Sequence, residues 1–535
     1  VVAASVALAA CGGAAPDPAA PAHPGPSTAD SMTSEQAVRF LLQASFSAGD
    51  ADIERAKTLG YGGWIDEQAG LAGALSHVDW MVAKGFSSVA HMNGFTGVDN
   101  SLWRKFISSP DTLRQRMTFT LSSIFVVSMA SLPVHWRGFA LAAYVDMLSA
   151  NCLANYRVLL EKVTLSCAMG SYLSMRGSQK EDPARGRQPD ENYAREVLQL
   201  FSLGLYMLNP DGTRRLDETG RSIESYDQAT IVGLAKVFTG WNFDAASGTG
   251  PSFMSKPMVF DATRFSTSAK SFLGVTIPGT TDGVTALGIA LDTIFNHPNV
   301  GPFIGRQLIQ RLVTSNPSTA YVGRVAAAFN DNGSGVRGDM LAVVKAVLLD
   351  AEARTGSAAT DWGKVREPVL RFIQWARTFG ARSPTDSWNI GDLSDPATRL
   401  GQSPMRSPTV FNFFRPGYVP PNTALGALGL VAPELQIADE SSLVGYANFM
   451  QAAIAAGRGE VLPDYSAELA QAGDAQALVE RYALRLAAGA LSAQAKDLIA
   501  TAVGSISAAN DTGRLNRVRA AIHLIMCSPE YLVQK

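Results

Sequence analysis

The chain is poor in the residues that usually announce a reaction. Its 535 residues include four cysteines, Cys11, Cys152, Cys167 and Cys527, and none forms a CxxC pair. Zinc-ribbon and thioredoxin readings are therefore unsupported. Cys152 and Cys167 lie 15 apart; they pair if the protein is exported, or they are buried free thiols, the commoner fate of cysteine. The six histidines, His23, His77, His91, His135, His297 and His523, are scattered without an HExxH cluster, so no metal site is expected from local spacing. There is no GxSxG elbow and no GxxxxGK loop, which disfavours an α/β-hydrolase and a P-loop enzyme. A net charge of -2 gives no basic excess for nucleic acid. Internal repeats and sustained period-2 patterning are also missing. What remains is 47% hydrophobic and only 17% charged, enough for one or two large cores. The fold class read from this is all-α or nearly so, a large multi-helix domain.

The N-terminus carries a signal. Val1 to Ala10 is apolar, too short to span a membrane and long enough for a signal-peptide core. It ends in Leu8-Ala9-Ala10-Cys11, which resembles a bacterial lipobox with Cys11 as the lipidated residue. Without a Met or basic residues ahead of it, the run reads as the remainder of a longer leader. The alternative is a plain secretory signal with an incidental cysteine. A lipid at Cys11 would hold the protein on a membrane surface without spanning it. The expectation is therefore an exported protein anchored at the bacterial envelope, in the periplasm or at the outer membrane. Residues 12–33, rich in Ala and Pro, read as a flexible tether. One large helical domain is expected over 34–535, with possible lobes 34–242 and 286–535. Between the lobes, residues 243–285 read as an irregular excursion with room for a small hairpin.

Helical signals recur along the domain. Residues 52–59 and 61–67 read as two short helices. Ser109-Pro110-Asp111 reads as a helix start, followed by Leu113, Met117, Leu121, Ile124 and Phe125 at helical spacing. Residues 135–156 and 158–168 read as two longer ones. Asn316-Pro317-Ser318 caps a segment whose apolar face is Tyr321, Val322, Val325 and Phe329; Asp339 precedes Met340, Leu341, Val344, Val347 and Leu348. Near the end, Leu515, Val518, Ile522, Ile525 and Met526 make one stripe.

One stretch stands apart, Asp190 to Gly204. Asp190 suits an N-cap and Gly204 a left-handed terminator. Tyr193, Val197, Leu200 and Phe201 share one face; Asn192, Arg195, Glu196 and Gln199 share another. Acid, base and amide groups flanked by Tyr and Phe read as a mutually satisfied polar network of the kind found at sites. The plain alternative is a solvated face laced with ion pairs.

This stretch, with Leu234 to Trp241, resembles the bacterial domain-of-unknown-function family 1800 (DUF1800). Further matching pieces are Leu113 to Met117, Lys270 to Gly274, Asn296 to Val300, Val410 to Tyr418 and Ser528 to Tyr531. The resemblance covers residues 34–535. It implies an exported bacterial protein, often encoded beside a second exported family, with no established activity. The chain departs from the pattern twice. Ser166-Cys167 stands where family members often carry His-Pro, and the histidine they often carry before the Lys-x-x-Leu-Gly segment is missing.

Glycosidic hydrolysis needs two carboxyl groups facing one cleft. Glu191 and Glu196 are five apart, so they point about 140° away from each other on a helix. Glu196 is the acid/base candidate, with Arg195 and Gln199 to orient it. Glu191, Asp227 and Asp261 are the other acids to consider. Asn192, Gln199, Trp241, Phe413 and Tyr418 are the substrate-binding candidates, the aromatics as platforms for sugar rings; ordinary packing is their alternative. Arg185 and Arg187 could hold an anionic group. The sequence names no cofactor. Two functions follow: a hydrolase acting on an extracellular polymer such as a polysaccharide, or a non-catalytic surface scaffold for another exported protein. The first requires that the polar stripe open into a cleft, with a second carboxylate within about 10 Å of Glu196. The second requires that stripe sealed by other helices, and a broad apolar patch elsewhere.

Overall fold

Short polar side chains start most of the helices. Ser318 accepts a hydrogen bond from the Tyr321 N–H and opens the helix Thr319–Asn330, whose buried face is Tyr321, Val322, Val325, Ala326 and Phe329. Asp339 accepts from the Leu341 and Ala342 N–H groups and opens Met340–Leu349. Asn510 does the same for Asp511–Met526. Each such cap satisfies donors that the first turn leaves free.

A computed structural model describes residues 32–535 apart from 245, 247, 249 and 356–361. The lipobox reading at Cys11 and nearly all of the tether lie outside the described residues. The protein is 54% helical, with a few short antiparallel strand pairs. None of its described helices is long and apolar enough to cross a membrane. Cys152 and Cys167 are both buried free thiols.

The segment 243–285 contains the hairpin that the sequence left room for. Lys270–Phe272 pairs with Val275–Ile277, and Leu273 and Gly274 turn between them with φ of 46° and 80°. Positive φ at both turn positions matches the twist of two antiparallel strands. A second pair joins Trp241–Asn242 to Val259–Phe260. At the other end of the chain, Lys364–Val365 pairs with Val533–Gln534. One continuous buried core runs from Ala37 to Tyr531, and the first helix, Ser34–Ala44, packs on Ala475–Ala487.

Several elements differ from their sequence reading. Ser109 does not cap the next helix: its N–H ends the preceding one, Val98–Ser108, and its hydroxyl bonds the Asp111 carboxylate. The helix that follows begins at Thr112. Residues 135–156 are not one helix. Arg137–Asn151 stops, and Tyr156–Thr164 starts under an Asn155 cap. Residues 50–70, by contrast, form two helical arms that meet at Gly60, φ 69°, in line with the two short helices read over 52–59 and 61–67. The helix expected over Asp190–Gly204 is confined to Asn192–Gln199. Asp190 sits one residue outside the cap, accepting from the Asn192 N–H at 2.9 Å. Beyond Gln199 the turn widens. The Phe201 N–H reaches back to the Glu196 carbonyl (3.2 Å), and the Leu203 and Gly204 N–H groups both reach the Leu198 carbonyl. Gly204 then turns the chain out at φ 72°, the left-handed conformation that glycine adopts without a steric penalty.

Candidate functional site

The Asn192–Gln199 helix buries Tyr193, Ala194, Val197 and Leu198 as its pattern requires, and it buries Glu196 as well. Glu196 is 8% exposed, and its Oε2 has no hydrogen-bond partner. Burial raises its pKa, and the Arg195 guanidinium partly opposes the rise. A carboxyl in that position leans toward its protonated form. Two phenols share its neighbourhood. Burial raises the pKa of Tyr172, with Ser131 opposing and the Glu196 charge adding to the rise. Burial also raises Tyr226; Arg195 lowers it, while Glu196 and Glu224 both raise it. Glu224, which the sequence reading did not single out, is thus an acid sharing a neighbour with Glu196. No spacing rule links residues 28 apart, so only the fold could bring them to one phenol.

The other residues of the stripe have different partners. Arg195 Nη2 lies 3.3 Å from Glu191 Oε2, with both side chains partly exposed. That oxygen also accepts from Gln228 Nε2 at 2.8 Å. Gln199 Oε1 accepts from the Tyr226 hydroxyl at 3.5 Å, a long bond. Asn192 is exposed. Asp227 caps the helix Gln228–Val237 by accepting from the Thr230 N–H at 2.8 Å, and these bonds lower its pKa. Asp261 caps its own turn and meets Arg264 at 3.2 Å. Arg185 and Arg187 lie 3.7 and 3.8 Å from Asp182.

The aromatic candidates are dispersed. Trp241 is 4% exposed, with its ring 5.5 Å from that of Phe260. Its indole N–H is buried without a hydrogen-bond partner. Phe413 lines a small cavity with Gln402, Ser403, Ser407 and Asn412. Tyr418 is half-buried in the loop that follows. Phe414 faces elsewhere, into a cavity beside Arg311 and Glu434. None of these cavities is lined by a residue of the Asn192–Gln199 helix. Trp241, Phe413 and Tyr418 therefore do not line a common cleft with Glu196 among the cavities described.

A second polar constellation went unseen in the sequence. Lys364, 3% exposed, places Nζ 3.0 Å from Glu434 Oε1, 3.9 Å from Glu367 Oε1 and 3.0 Å from the Arg311 carbonyl. The other Glu367 oxygen accepts from Gln402 Nε2 at 2.7 Å. Arg116 Nη2 donates to the Arg311 carbonyl at 2.9 Å, and Arg311 Nε donates to Ser123 Oγ at 2.7 Å. Burial takes Arg116 and Arg311 down to about 10, with Glu367 and Glu434 opposing. Burial raises Glu434; Lys364 opposes that and Glu367 adds to it. The sequence signal was weak: single charges in apolar surroundings, spread from 116 to 434. A third cluster joins Glu181 to the hydroxyls of Ser266 and Ser268, with buried Lys270 donating to the carbonyls of both serines.

Among the described residues no group of three or more His, Cys, Asp or Glu side chains could hold a metal ion. A family model described as a protein of unknown function (DUF1800) matches residues 39–533. No curated protein and no solved structure matches the chain.

Proposed function

The chain belongs to the DUF1800 family, and from that premise we propose that it is an exported hydrolase acting on an extracellular or envelope polymer such as a polysaccharide. It would be held at the membrane surface by a lipid on Cys11. The observation that carries the reading is the Glu196 carboxyl, buried and with one oxygen unpartnered. Glu434 and Glu181 each carry an unpartnered Oε2 as well, but their other oxygens are held by Lys364 and by two serine hydroxyls. Glu196 has no ion pair among the described residues, and an acid with a raised pKa and no cationic partner suits proton donation.

In this reading Glu196, protonated, gives its proton to the leaving oxygen of the scissile bond. Glu224, exposed, takes the proton of the attacking water. Arg195 and Glu191 act as a positioning pair, and the Tyr172 and Tyr226 phenols stand near the acid. Two carboxyl groups, one to give a proton and one to take one, are the minimum such a cleavage needs.

The test is turnover by the purified chain on a panel of polymers, with Glu196→Gln and Glu224→Gln measured alongside. Loss of turnover in Glu196→Gln is expected. Unchanged turnover removes Glu196 from the chemistry. The second reading, a non-catalytic scaffold for an exported partner, draws on Leu428, Leu443 and Val444. These are 72%, 50% and 61% exposed within a short span of chain. A wild-type chain inert on every polymer, yet binding a purified exported partner through that span, would favour it.

A further inference from the structure

Arg116, Lys364 and Arg366 line a small cavity together with Ser45, Phe46 and Gln374. All three cations are at most 7% exposed. Five buried or largely buried cationic side chains gather around this place, Arg116, Arg311, Lys364, Arg366 and Arg371. Two carboxylates, Glu367 and Glu434, face them. Both are already engaged, Glu434 on Lys364 and Glu367 on Gln402 and Lys364. Arg366 forms none of the described ion pairs; its neighbours include the Arg371 cation and the neutral phenols of Tyr531 and Tyr446. Arg366 Nη1 is bound to Gln374 Oε1 at 3.2 Å, but its Nε has no partner, and neither do Arg116 Nε and Arg371 Nη1.

Buried cations without counter-charge are costly, and proteins offset them with a paired anion. The cavity volume is ≈ 20 Å³, room for one small occupant and too little for a phosphate or a sugar. We propose that this cavity binds one small monovalent anion of the halide class, held by the Arg116 and Arg366 guanidinium groups in the field of Lys364. The anion offsets part of the excess positive charge gathered between the Ser34–Ala44 helix and the Lys364–Val365 strand. The inference does not rest on the hydrolase reading, since none of its residues lies near Glu196 in the interactions described above.

Crystals of the full chain soaked in sodium bromide should show an anomalous peak in the cavity, within bonding distance of Arg116 and Arg366. Chloride-free protein should rise in Tm as sodium chloride is added and then level off. Sodium gluconate, whose anion is too bulky for the cavity, should give no such rise at equal ionic strength. Arg366→Gln should fold and lose the chloride dependence; if it does not fold, the two wild-type measurements decide. Water alone in the cavity, or an equal response to both salts, overturns the proposal.

Discussion

Glu196 and Glu434 are buried to nearly the same depth, 8% and 3% exposed, and burial raises the pKa of both. Each also buries an Oε2 without a hydrogen-bond partner, and the difference lies in the ion pair. Glu434 meets Lys364 at 3.0 Å inside a network that also engages Glu367, Arg311 and Gln402. Glu196 has one charged neighbour, Arg195, whose guanidinium is drawn toward Glu191. Depth alone therefore does not separate architecture from a candidate site; the partner does. A paired buried acid ties segments together, while an unpaired one keeps a proton available.

Lys364→Met is the harshest way to break the comparison. It strands two buried carboxylates, and a loss of about 3–5 kcal/mol in unfolding free energy is expected, read by urea denaturation. A loss below about 1 kcal/mol would mean that the network does not hold the segments together. Glu196→Gln sharpens the other side. If Glu196 donates a proton, turnover should fall by about 10²-fold or more, with unfolding free energy unchanged or slightly higher, because no ion pair to Glu196 is lost.

A smaller effect is expected with pH. The folded-state pKa of Glu196 lies above its ordinary 4.5, so the fold binds this proton more tightly than the unfolded chain does. The stability it brings is fully present below about pH 4.5 and drains as pH rises through the raised value. Across that window wild type should lose stability relative to Glu196→Gln; parallel pH–stability curves would show that the acid is not perturbed. The smallest effect belongs to the exposed pair. Glu191→Gln should cost less than about 1 kcal/mol, and less still at high salt.

The helical class was legible because apolar spacing and short polar caps are local properties. Ser318 and Asp339 open helices as their positions suggest, and the Lys270–Ile277 hairpin falls inside the segment read as irregular. Ser109 was misread because a Ser-Pro-Asp run is equally at home at the end of the preceding helix, where its hydroxyl bonds Asp111. The Asp190–Gly204 helix was overextended because its apolar spacing continues through Leu200 and Phe201 after the backbone bonds have widened. Glu196 was picked out by its neighbours in the pattern, but its closeness to Tyr172 and Tyr226 was not, since those residues come from other segments.

Composition and periodicity determined on their own that this chain is mostly helical, with a polar stripe inside Asp190–Gly204; its longer motifs carried the family resemblance. Only the tertiary structure decided which charges met a partner. Arg116, Arg311, Lys364, Glu367 and Glu434 are brought together from across the chain, and Glu196 is left with an oxygen unbonded. The physical reason is range. Helix signals act over three or four residues, whereas the cost of burying a charge is set by whatever group the fold delivers beside it.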